Sequence, residues 1–135
     1  MISECPVVAE APPPYGGALD FGRSSEAAAA EYLIANGFRV LERRFRTRAG
    51  EIDLIAEEGE TLVFVEVKAR TSLACGRPAE AVDRRKRARL ARAASIYLMR
   101  SRDPDRPCRF DVVEILRVPG DSLRVHLIRD AFQAE

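Results

Sequence analysis

The sequence predicts an α/β domain whose mixed β-sheet is flanked by helices, and three observations lead there. Two runs rich in Ile, Leu, Val and Phe lie on either side of Glu57-Glu58-Gly59-Glu60, the signature of a hairpin with a short loop. Apolar residues recur at helical spacing over 24–36 and over 78–100. Strand-like runs also occupy 38–46, 109–116 and 123–128.

In chain order, residues 1–19 are broken by Pro6, Pro12, Pro13, Pro14, Gly16 and Gly17, so a flexible tail is expected there and a single domain over 20–135. Ser24 or Ser25 can cap a helix through about Asn36, with Ala27, Ala30, Leu33 and Ile34 toward the core and Gly37 as its stop. Glu26 would then lie in the first turn, where the helix dipole favours a carboxylate for structural reasons alone. Phe38 to about Arg46 forms the first strand, followed by the hairpin and a loop at 71–77. A helix from about Pro78 to Arg100 presents Val82, Leu90, Ala93, Ala94 and Tyr97 to the sheet, with Lys86 on the same stripe. Arg109–Leu116 is a strand, Pro119-Gly120-Asp121 turns it, and Leu123–Ile128 returns; Asp111 is expected to end or pair at the strand edge.

The hairpin carries acids and a lysine inside strands that otherwise read as core, and buried charge is costly unless paired or bound to a metal. If Glu58-Gly59 forms the loop, Glu57 pairs with Glu60, Asp53 lies opposite Phe64, and Glu51 opposite Glu66. Alternation then puts Glu51, Asp53, Glu66 and Lys68 on one face. Asp53 and Glu66 become diagonal neighbours about 7 to 8 Å apart, close enough to share an ion. With only carboxylate oxygens on offer, magnesium or manganese is favoured over zinc. Lys68 is placed to orient the attacking water and to offset phosphate charge. The competing explanation is a solvated hairpin end with a Glu66–Lys68 ion pair.

The chain has 135 residues, 22 Lys and Arg together, and a formal net charge of +1. Lys68 and Lys86 are the only lysines and every other basic residue is arginine, so these two positions kept the side chain whose pKa can be lowered. Arg84, Arg85, Arg87, Arg89 and Arg92 line the outer side of the second helix, and Arg39, Arg43, Arg44, Arg46 and Arg48 precede the hairpin. Basic flanks around an acidic centre suit a polyanion cut over a metal. A solvated charged surface is the plainer alternative. Tryptophan is absent and aromatics are few, which points to backbone contacts with little base reading. Cys5, Cys75 and Cys108 lack metal-ligand spacing and read as free thiols of a cytoplasmic protein. No secretory signal and no membrane-spanning stretch is evident, and His126, the one histidine, offers no catalytic triad.

Glu-Ile-Asp-Leu-Ile followed by Leu-Val-Phe-Val-Glu-Val-Lys-Ala-Arg resembles the YraN family of small bacterial proteins, grouped with restriction-endonuclease-like nucleases and Holliday-junction resolvases. The resemblance covers about residues 20–118 and implies a restriction-endonuclease-like fold. Through it Asp53, Glu66 and Lys68 match the acid, then acid-x-Lys, of the superfamily, and Glu26 matches its first-helix glutamate. Ser25 stands where the family usually has glycine, and Ile52 where the wider superfamily often has proline.

The expectation is a magnesium- or manganese-dependent nuclease acting on DNA, with branched or structured DNA implied by the resemblance to resolvases. Asp53, Glu66 and Glu26 are its metal ligands, Lys68 completes the catalytic set, and Lys86, Arg84, Arg85, Arg89, Arg44 and Arg46 contact nucleic acid. A resolvase would need two such sites and hence a homodimer. The alternative is a nucleic-acid-binding module that keeps the fold without cutting.

Overall fold

The computed structural model describes residues 8–11, 21–70, 83–117 and 123–133. Its strands are β1 (Val8–Ala11), β2 (Arg39–Arg46), β3 (Glu51–Glu58), β4 (Thr61–Arg70), β5 (Cys108–Arg117) and β6 (Leu123–Phe132), with helices α1 (Phe21–Ala35) and α2 (Arg84–Arg100). They form one six-stranded sheet in the order β1-β6-β5-β4-β3-β2. Every neighbouring pair is antiparallel except β4 and β5. Parallel neighbours cannot be joined by a tight turn, and α2 lies in the crossover between them. A mixed sheet with one helix on each face is an α/β fold, consistent with a restriction-endonuclease-like arrangement.

Two apolar layers hold this together. Ala28, Ala29, Ala30, Tyr32 and Leu33 of α1 cover Leu54, Ala56, Val63, Val65, Val113 and Ile115. On the other face Leu90, Ala93 and Ala94 of α2 cover Ile55, Leu62, Phe64, Phe110 and Val112. Strand β4 is therefore buried on both sides over Leu62–Val65, as its unbroken apolar run requires. Glu66 follows that run directly and is still only 5% exposed.

Several expectations change in detail. The hairpin pairs Glu58 with Thr61 and Leu54 with Val65, so its two-residue loop is Gly59-Glu60 and the register is displaced by two residues. Gly59 has φ +61, and a two-residue hairpin with glycine first accommodates that value. Because the displacement is even, the faces survive it over Leu54–Ala56 and Leu62–Val65; toward the open end the alternation breaks, Ile52 joining the α2 side and Leu54 the α1 side. Helix α1 begins at Phe21, not at a Ser24 or Ser25 cap, and Ser25 is buried within it. Glu26 thus lies in the second turn, beyond the dipole effect of the first. Ile34 points outward, 52% exposed, while Tyr32 takes its place in the core. The helix does stop at Gly37, where φ is +93 and Phe38 N–H bonds back to Leu33.

Helix α2 starts at Arg84, since Asp83 is extended and its carboxylate accepts the Lys86 N–H at 2.9 Å. Val82, Cys75 and the 71–77 loop lie outside the described residues. Val8–Ala11, within the stretch expected to be a flexible tail, is an edge strand paired with β6. Strand β6 runs on past Ile128 to Phe132, whose ring stacks on Phe110 at 5.0 Å. Asp111 is not at an edge but fully buried. Arg109 Nε donates to it at 2.9 Å, as does the Asp130 N–H, and Arg109 and Arg129 both reach on to Glu58. Burial pushes the Asp111 carboxyl up while Arg109 opposes it, a structural tie between β3, β5 and β6.

Candidate active site

The β3–β4 pairing ends at Leu54↔Val65, just before Asp53 on one strand and Glu66 on the other. At that point the ladder gives way to a side chain: the Val67 N–H donates to Asp53 Oδ2 at 2.9 Å. The carboxylate is thereby held over the mouth of the hairpin. Glu66 projects on the face that carries Phe64 and α2, where Lys68 Nζ stands 3.7 Å and Lys86 Nζ 2.5 Å from its Oε2. Alternation along β4 brings Lys68 there, and the first turn of α2 brings Lys86.

Asp53 and Glu66 border a pocket of about 260 Å³ together with Gly50, Glu51, Lys86 and Arg89. Its wall is set by the β2–β3 turn, in which Thr47 Oγ1 accepts the N–H groups of Ala49 and Gly50, both at 3.0 Å. A Cβ on Gly50 would sit 3.0 Å from the Arg89 carbonyl oxygen, so glycine lets the turn close on α2.

Charge in this pocket is unevenly balanced. Burial, and next the Glu66 charge, push the Asp53 carboxyl up to about 7 from its ordinary 3.8, with Glu26 adding to the repulsion. The Val67 N–H and Lys86 act against that rise but do not cancel it. Burial works against the Lys86 ammonium, yet its hydrogen bond to Glu66 and the nearby acids outweigh burial and raise its pKa. Two carboxylates bordering one pocket, with no histidine or thiol beside them among the described residues, form a donor set that fits a hard divalent ion. Magnesium is usually held by one or two carboxylates plus substrate phosphate.

Glu26, expected as a third ligand, is near enough to Asp53 for its charge to be felt there but is engaged by an arginine. It approaches from α1, across the sheet from α2, and its Oε1 accepts from Arg44 Nε at 3.3 Å. Among the described residues no three acidic, histidine or cysteine side chains gather around one point.

The profile of the uncharacterised protein family UPF0102 matches residues 25–115, a span that includes Glu26, the whole hairpin, and α2. A UPF0102 protein of Symbiobacterium thermophilum is 53% identical over 113 residues, covering 84% of this chain and 96% of its own. The chain belongs to the UPF0102 family. Similar UPF0102 proteins occur in Moorella thermoacetica, 47% identical over 82% of this chain and 93% of the relative, and in Caldicellulosiruptor saccharolyticus, 43% identical over 84% and 97%.

In this UPF0102 chain the arginines proposed for nucleic acid separate into two groups. Arg44 and Arg46 are exposed but engaged, the first by Glu26 and the second by Glu51 at 3.5 Å. Arg84, Arg85 and Arg89 are exposed on α2, and Arg89 also borders the pocket. Two contributors escaped the sequence reading. Asp83 announces itself as an acid directly before a helical run, the usual N-cap signal. Gly50 matters through the α2 backbone, a contact that no local pattern records. Among the described residues no helix is long and apolar enough to cross a membrane.

Proposed function

We propose that this UPF0102 protein is a magnesium- or manganese-dependent phosphodiesterase acting on DNA, with branched or structured DNA as the substrate class suggested by the resemblance to resolvases. The observation that carries this reading is that Asp53 and Glu66 border one pocket at the hairpin mouth, with Asp53 pushed up to about 7 and two lysines turned toward Glu66. A divalent ion between the two carboxylates would polarise the phosphodiester and promote attack by water. Asp53 and Glu66 bind that ion, and the Val67 N–H keeps Asp53 oriented. Lys68 holds the water and offsets charge on the phosphate. Arg89, with Arg84 and Arg85 beyond it, attracts the DNA backbone toward the pocket.

The experiment is incubation of the purified protein with linear, nicked, flapped and four-way DNA in magnesium, manganese or EDTA. Metal-dependent cleavage, lost in Asp53→Asn and Lys68→Ala while binding persists, is the expected result. Tight binding to one form with cleavage of none would favour the second reading, a DNA-binding module without catalysis. One observation favours that reading: Glu66 is engaged by two ammonium groups and Glu26 by Arg44, so these acids are partly neutralised from within.

A further inference from the structure

Of the two lysines at Glu66, the one from the helix stands closer. Lys86 Nζ is 2.5 Å from Oε2, and Lys68 Nζ is 3.7 Å from the same atom. An ion coordinated by Glu66 must therefore contend with the Lys86 ammonium, since like charges beside a buried carboxylate repel strongly. The Lys86 side chain is about a third exposed and borders the pocket, whereas Glu66 is buried. The backbone beneath Lys86 is fixed, because Asp83 caps its N–H and the α2 main chain abuts Gly50 at Arg89. Its flexible four-carbon stem remains able to turn. One turn further along, Arg89 borders the same pocket, so a phosphate entering there would meet two cations from α2.

We propose that Lys86 is a substrate-operated counter-ion: it neutralises Glu66 while the pocket lacks nucleic acid, then transfers to an incoming backbone phosphate and frees Glu66 for the metal. DNA and metal thereby bind cooperatively, and the ion is held tightly only where there is a phosphodiester to act on. The proposal rests on the reading of Asp53 and Glu66 as a metal pocket, and adds how that pocket is governed. A ligand that binds one arrangement better than the other is all the coupling requires.

The test is direct Mn²⁺ binding, read from the electron paramagnetic resonance signal of free ion. The full chain is compared with Lys86→Met, and with Lys86→Gln should Lys86→Met fold poorly. Without DNA, removal of the ammonium should tighten Mn²⁺ binding about tenfold, within the range typical of coupled sites. In a Lys68→Ala background that prevents cutting, a short DNA duplex should tighten Mn²⁺ binding about tenfold when Lys86 is present and hardly at all in Lys86→Met. Equal or weaker Mn²⁺ binding by Lys86→Met in the absence of DNA would overturn the counter-ion role while leaving the metal pocket standing. Absence of Mn²⁺ binding in every chain, with and without DNA, would overturn both.

Discussion

Replacing Asp53 by Asn should stabilise the metal-free protein, and increasingly so as pH rises. Burial and the Glu66 charge keep the Asp53 carboxyl protonated up to about 7, against 3.8 ordinarily. The folded chain thus binds this proton more tightly than the unfolded chain. The contribution is fully present below 3.8 and is lost as pH climbs toward and through 7. From pH 5 to that value is a span of about two pH units, or on the order of 2 to 3 kcal/mol. Asparagine has no proton to lose and can still accept the Val67 N–H. The stability advantage of Asp53→Asn should therefore widen by roughly 2 to 3 kcal/mol between pH 5 and pH 8.5. Urea denaturation of both chains in EDTA at the two pH values measures it, with equal m-values as the check on two-state behaviour. An advantage that stays constant, or shrinks toward high pH, would refute the claim that burial and the Glu66 charge hold the Asp53 carboxyl protonated.

Other outcomes follow from single interactions. Gly50→Ala puts a methyl group 3.0 Å from the Arg89 carbonyl oxygen, so thermal unfolding should show a loss of about 1 to 3 kcal/mol. An unchanged melt would mean that the turn and α2 are not tightly apposed. Arg109→Met strips the buried Asp111 of its guanidinium and should cost about 3 to 5 kcal/mol, with much of it restored in Arg109→Met/Asp111→Leu; a loss under about 1 kcal/mol would remove Arg109 from the buried network. Changing Arg84, Arg85 and Arg89 together to Gln should weaken duplex binding and lower the salt dependence by about 0.9 for each phosphate no longer neutralised. A slope identical to that of the unaltered chain would locate the polyanion elsewhere.

The hairpin was legible because acids interrupt apolar strands at a period of two, and that pattern survives any even displacement of register. The loop itself was ambiguous, since Glu57-Glu58-Gly59-Glu60 offers two ways to make a two-residue turn. The pairing of Glu58 with Thr61 decides between them, and so shifts the β3–β4 register by two residues from the one counted on a Glu58-Gly59 loop. The outward Ile34 was hidden for a related reason: Ala27-Ala28-Ala29-Ala30 gives α1 no polar side by which to orient its stripe. Lys86 was traceable through its place on the apolar stripe of α2, and the structure turns it to Glu66. What a one-dimensional pattern could not convey is contact between distant elements. Glu26 with Arg44, Gly50 with Arg89, and Asp111 with the Asp130 N–H each depend on how the sheet and helices are assembled.

The central claim is that the carboxylates of Asp53 and Glu66 together hold a hard divalent ion. A crystal grown or soaked with manganese, with data collected at its absorption edge, tests this most directly. The account predicts an anomalous peak within about 2.5 Å of oxygens from both side chains, strengthened when a DNA fragment is present. A peak elsewhere, or none between these two carboxylates even with DNA bound, would contradict it.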